Sequence, residues 1–147
     1  MSRTASSDVL KGMMAQAKRK LAAARRELKA GFADEAVSRA YYAAYHAISA
    51  VLASPGCAFS SHAQTLGGFH ARFVRTGLFP QDTTPKLHRL FENRQMADYD
   101  WTAIVDRASA RSDVKDAADL VAACQEYLKQ SPPGRGSRSA GLGKLIK

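Results

Sequence analysis

Acidic residues, cysteine and long apolar runs are all scarce in this sequence. Thirteen Asp and Glu stand against 22 Lys and Arg, a formal charge of +9 over 147 residues. That imbalance points to a polyanionic partner, nucleic acid above all. Cysteine occurs twice, as Cys57 and Cys124, with neither a second Cys nor a His at metal-ligand spacing. Neither a disulfide framework nor a zinc site is expected, and Cys124 reads as core. No metal or other cofactor is implied. No stretch approaches the roughly 20 apolar residues of a membrane span. The polar opening residues 1–8 lack the apolar segment of a signal peptide, so a cytoplasmic protein is expected. Period-2 alternation of strand length is missing as well, which leaves strands unsupported.

What is present is helical periodicity, enough for one domain over residues 1–130. A first helix is predicted over residues 8–29, capped by Ser6 or Ser7 and stopped by Gly31. Its Leu10, Met14, Ala17, Leu21, Ala24 and Leu28 form one seam. A second helix begins at the cap Asp34 and stops before Ser54, Pro55 and Gly56. It is apolar nearly all round and is expected at the centre. A third follows Ser61, with Leu66, Phe69, His70 and Phe73 inward. A fourth starts at Thr84 and Pro85 and places Leu87, Leu90, Phe91 and Arg94 on one face, with Asp98 one turn on. A last helix is predicted from about Asp113 to Gln130. Between the two, Trp101, Ile104 and Val105 are expected to pack. Residues 131–147 are rich in Gly, Ser and Pro, carry Arg135, Arg138, Lys144 and Lys147 and no acid, and read as a disordered basic tail. The fold class is therefore all-α, with about four to five helices.

Arg39, Tyr42 and His46 are spaced three and four apart, so they share one helix face. If that face meets the end of the fourth helix, Arg39, His46, Arg94 and Tyr99 line one cleft. An Arg fork holds a phosphate through two hydrogen bonds, and a His near neutral pH takes or gives a proton. The plainer alternative pairs Arg39 with Asp98 and leaves Tyr42 and His46 in the core. His62 reads as a helix first-turn residue and His88 as solvated.

Three segments, in this order, are similar to one family. They are DEAVSRAYYAAYHAI over residues 34–48, HARFVRTGL over residues 70–78, and NRQMADY over residues 93–99, an Arg-x-x-Ala-Asp-Tyr element. Together they resemble small prokaryotic HEPN proteins (higher eukaryotes and prokaryotes nucleotide-binding) over roughly residues 10–130. The resemblance implies an antiparallel HEPN-like bundle, a homodimer, and a toxin–antitoxin or defence setting beside a minimal nucleotidyltransferase. Active members cleave RNA without metal, using an Arg and a His about four to six residues apart at a dimer interface. Here the positions that follow Arg94 at that spacing are Tyr99, Asp100 and Trp101, and none is His. Asp is a poor acid at neutral pH, its ordinary pKa being about 3.9.

The expected function is thus nucleotide or RNA binding through Arg39, Tyr42, Arg94, Asp98 and Tyr99, as the HEPN half of a nucleotidyltransferase-linked pair. One alternative is a metal-independent RNase in which Arg94 acts with His46. Another is a non-catalytic dimeric scaffold. The resemblance also implies that Tyr99 is a position where a cognate nucleotidyltransferase modifies the chain.

Overall fold

The computed structural model describes residues 4–131. Those residues form five α-helices and no strand: α1 (Ser7–Ala30), α2 (Ala33–Ala53), α3 (His62–Phe69), α4 (Thr83–Tyr99) and α5 (Arg107–Gln130). The expected all-α bundle is therefore what the chain builds. The expected tail lies, from residue 132 on, outside the described residues.

Local chemistry sets the ends of each helix. Ser6 accepts a hydrogen bond from the Val9 amide at 3.2 Å and caps α1. At the other end Gly31 sits at φ 93, a conformation that disfavours any side chain. The Phe32 amide donates to the Glu27 carbonyl and the Gly31 amide to Leu28, so two last-turn carbonyls are satisfied. Ser61 caps α3 through the Gln64 amide at 3.1 Å, and Asp106 caps α5 through the Ser109 amide at 2.7 Å.

α2 is the axis of the molecule. Its Ala36, Val37, Ala40, Tyr41, Ala43, Ala44, Ala47, Ile48, Ala50, Val51 and Leu52 are all buried. A helix shielded on nearly every side must be surrounded, and α1, α4 and α5 pack on it. Six of those eleven residues are alanine, which lets the neighbouring helices approach closely. Around this axis Phe69, Phe73, Phe79 and Tyr127 form an aromatic cluster, with neighbouring ring centroids 5.0–6.1 Å apart. Each of the three buried phenylalanines stabilises by roughly 1.5–3 kcal/mol.

Four local expectations are corrected. α3 does not run on as a regular helix but continues as a π-helical turn, His70–Val74, where His70 Nδ1 meets Thr84 Oγ1 at 2.7 Å. α4 starts at Thr83 rather than after Thr84. Pro85 still falls in the first turn, where a missing N–H costs nothing. α5 starts at Arg107, six residues before Asp113, because the cap is Asp106. The segment in between is held by Asp100, which accepts from the Thr102 amide and hydroxyl at 3.0 and 2.7 Å. Trp101 and Ile104 do not pack there. They are 97% and 92% exposed, while Val105 is half-buried.

Candidate functional site

Arg94 follows Leu87, Leu90 and Phe91 by seven, four and three residues, so it occupies a core position on the α4 stripe. The structure buries it there, at 5% exposure. Its guanidinium carbon lies over four rings: Tyr41 at 5.0 Å, Tyr42 at 5.3 Å, Phe91 at 5.6 Å and Tyr99 at 5.8 Å. The negative faces of aromatic rings replace part of the hydration that burial removes. The rest comes from Asp98, whose Oδ2 is 3.7 Å from Nη1, and from a long hydrogen bond to the Tyr99 hydroxyl at 3.5 Å. Arg94 Nε is buried without a partner. The expectation of a guanidinium free to grip a phosphate is corrected: Asp98 and Tyr99 sit on the outward side of this cation and close it.

The imidazole beside this cage is His62, which the sequence pattern presents only as a first-turn residue. His62 stacks on Tyr45 with centroids 4.2 Å apart, and its Nδ1 is 2.7 Å from the Tyr41 hydroxyl. Burial, then the charge of Arg94, pushes the His62 pKa below its ordinary value. Burial raises that of Tyr41 far above the usual phenol range, despite the opposing charge of Arg94. The phenol thus keeps its proton and can donate it to a neutral imidazole. No local signal marks this contact, because 21 residues separate His62 from Tyr41.

Arg39, Tyr42 and His46 do share one wall. With Lys20, Glu35, Ser38 and Tyr45 they line an open groove of about 400 Å³ between α1 and α2. Arg39 does not pair with Asp98. It faces Glu27 and Glu35, each at 3.9 Å, and its Nε is buried without a partner. Asp98 instead accepts from Ser38 at 3.4 Å, so the face of α2 does meet the end of α4. The pKa of His46 is pushed down, first by burial and then by the nearby Lys20 charge. The anticipated single cleft is therefore two sites with Tyr42 between them. Arg94, Asp98 and Tyr99 lie on one side, and Arg39 and His46 on the other. Among the described residues, no cluster of three His, Cys, Asp or Glu side chains is placed to hold a metal ion, and no helix is long and apolar enough to cross a membrane.

Comparison with known proteins agrees with this architecture. A family model described as HEPN domain matches residues 10–127. The chain is 29% identical over 94 residues to a UPF0332 protein of Thermotoga maritima, an overlap covering 64% of this chain and 71% of that one. It is 27% identical over 101 residues to a Methanocaldococcus jannaschii protein named "Putative toxin MJ0142", covering 69% of each.

Proposed function

The chain belongs to the HEPN domain family, and from that premise we propose that it is a cytoplasmic nucleotide- or RNA-binding protein, the HEPN half of a toxin-like pair with a minimal nucleotidyltransferase. The observation that carries the binding reading is the α1–α2 groove. It sets two cations, Lys20 and Arg39, and one carboxylate, Glu35, beside two tyrosines, Tyr42 and Tyr45, in an open space of about 400 Å³, and a phosphate would replace Glu27 and Glu35 as the anions loosely facing Arg39 at 3.9 Å. Cations meet phosphates, and aromatic faces accept stacked bases whatever their sequence. Arg94 contributes by holding Tyr42, one wall of that groove. A phosphate reaches Arg94 itself only by replacing Asp98 as its anion and lifting Tyr99. The name of the archaeal relative supports the toxin-like setting.

Fluorescence anisotropy with labelled single-stranded RNA, and with a labelled ATP analogue, tests the groove. Lys20→Gln with Arg39→Gln should weaken binding about tenfold or more. It should also lower the salt slope by roughly 0.7 for each phosphate that is no longer neutralised. Unchanged affinity and slope reject the groove as the binding site.

A metal-independent ribonuclease is the second reading, favoured by His46. Its lowered pKa keeps the imidazole neutral at pH 7 and able to accept a proton beside Arg39. RNA integrity in cells expressing the wild type, His46→Ala or Arg94→Ala tests it. Intact RNA in all three removes this reading.

The chain is also proposed to form a homodimer through the end of α4. Met96, Tyr99, Trp101 and Ile104 are all exposed there and make an apolar surface without cover in one protomer.

A further inference from the structure

A second groove lies away from both the Arg94 cage and the α1–α2 groove. It encloses about 450 Å³ between the first half of α1 and the last turns of α5. Its floor is apolar, made by Leu10, Met14 and Leu128. Its rim is Lys11, Lys18 and Lys129, all exposed, and among the described residues no carboxylate lines it. Gln125 lines the groove, and its carbonyl oxygen is buried without a hydrogen-bond partner.

We propose that this groove docks an acidic amphipathic helix of a partner protein. Apolar side chains of such a helix would seat on half-buried Leu128 and exposed Ala15, above Leu10 and Met14, which the protomer itself already buries, and its carboxylates would meet the lysine rim. The spacing fits. Lys11 and Lys18 are seven residues apart, two turns along one stripe of α1, or about 10 Å. Acids seven apart on a helix lying along α1 match that separation, with apolar anchors at i, i+3 and i+4 pointing to the floor. Charge selects this occupant over the others. Residues 132–147 follow α5 directly but carry four cations and no acid, the same sign as the rim. A second copy of this chain has net charge +9. RNA would satisfy the lysines but leave Ala15 and half-buried Leu128 without apolar cover. The inference is independent of the nucleotide-binding groove.

The test uses the full chain and a labelled amphipathic peptide of about 18 residues, roughly five helical turns, with leucines on one face and glutamates on the other. Three proteins are compared by anisotropy: the wild type, a groove triple (Lys11→Glu, Lys18→Glu, Lys129→Glu) and a control triple (Arg25→Glu, Arg26→Glu, Lys29→Glu). The two triples have the same net charge, and all six positions are exposed, so thermal melts should agree with the wild type. Saturable binding that falls about tenfold or more in the groove triple alone supports the proposal. No saturable binding, or equal loss in both triples, overturns it. So does equal affinity for a peptide with lysines in place of the glutamates. Single-stranded RNA that displaces the peptide from the wild type, and loses affinity for the groove triple alone, reassigns the surface to nucleic acid and also overturns it.

Discussion

The Arg94 guanidinium lies 5.0 Å above the ring of Tyr41, a fully buried phenol whose hydroxyl meets His62. A charge in this position serves as a packing element. Its stem and planar head fill the space that another hydrophobe of the α4 stripe would take, and its charge is spread over four rings. Arg94→Ala should therefore cost about 2–4 kcal/mol in urea denaturation, since it opens a cavity beneath Tyr41 and Tyr42. Arg94→Met keeps the stem and removes both the charge and its desolvation cost, so it should cost under about 2 kcal/mol. An alanine variant as stable as the wild type contradicts this role. The pair also separates functions. An Arg94→Met protein that is folded yet has lost RNA affinity shows that the cation serves binding, by reaching ligand or by its hold on Tyr42.

Burial lowers the pKa of both His46 and His62. In the unfolded chain each takes up a proton near its ordinary value, 6.5. The folded state takes it up only at lower pH. The unfolded state thus binds more protons below pH 6.5, and stability falls as pH drops through that window. Chemical denaturation between about pH 7.5 and 5 should show this loss. The double variant His46→Gln, His62→Gln should flatten it, by less than the roughly 1.4 kcal/mol per pH unit that each full proton would give. A pH slope identical in wild type and double variant is the contrary result.

The helices were readable because their signals are local. The Leu10 to Ala24 seam, the Ser61 cap and Gly31 each act within a few residues. The all-round apolar character of α2 likewise announced its central place. The site was readable only in part. Helical spacing put Arg39, Tyr42 and His46 on one wall, and did so correctly. It also put Arg94 on the stripe of Leu87 and Leu90, and the structure buries all three. The charge suggested exposure, but the spacing decided. The contacts of His62 with Tyr41 and of Ser38 with Asp98 join positions 21 and 60 residues apart. They depend on how helices cross, which no periodicity encodes. Trp101 and Ile104 misled for the opposite reason: large apolar residues imply burial, but burial by a second chain leaves the same trace in a sequence.

Asp113 is 1% exposed, and it ties α5 to α4 by accepting from Asn93 at 2.9 Å. Arg89 approaches its other oxygen at 3.8 Å. Burial raises its pKa above the ordinary 3.8, against the Asn93 hydrogen bond and the Arg89 charge. The folded state therefore holds this proton more tightly than the unfolded chain. The stabilisation it gives is full below pH 3.8 and is lost as pH rises through the folded value. Asp113→Asn should keep the link to Asn93 and remove the cost of a buried charge, leaving stability at pH 7 within about 1 kcal/mol of wild type. Asp113→Ala should cost about 1–3 kcal/mol, because it strands the Asn93 amide. Thermal unfolding of the two variants at pH 7 checks this ranking, and an alanine variant no worse than the asparagine one contradicts it.

Trp101 and Ile104 touch almost nothing in one protomer, at 97% and 92% exposure, yet they follow directly on Tyr99 and the Arg94 cage. Covering an indole and a branched side chain is the kind of contact that carries most of an interface's energy. Replacing both with Glu should leave the folded monomer unharmed, since neither side chain packs within it, while raising the dimer dissociation constant about 100-fold or more. That factor corresponds to roughly 2.8 kcal/mol. Sedimentation velocity over a concentration series, with far-ultraviolet circular dichroism as the folding control, measures both. Tyr99 would lie at such an interface, so dimerisation would also decide whether the outward side of Arg94 stays closed. A wild type that remains monomeric at every concentration, or a double variant that still dimerises, removes this face from the assembly and leaves Trp101 and Ile104 without a physical explanation.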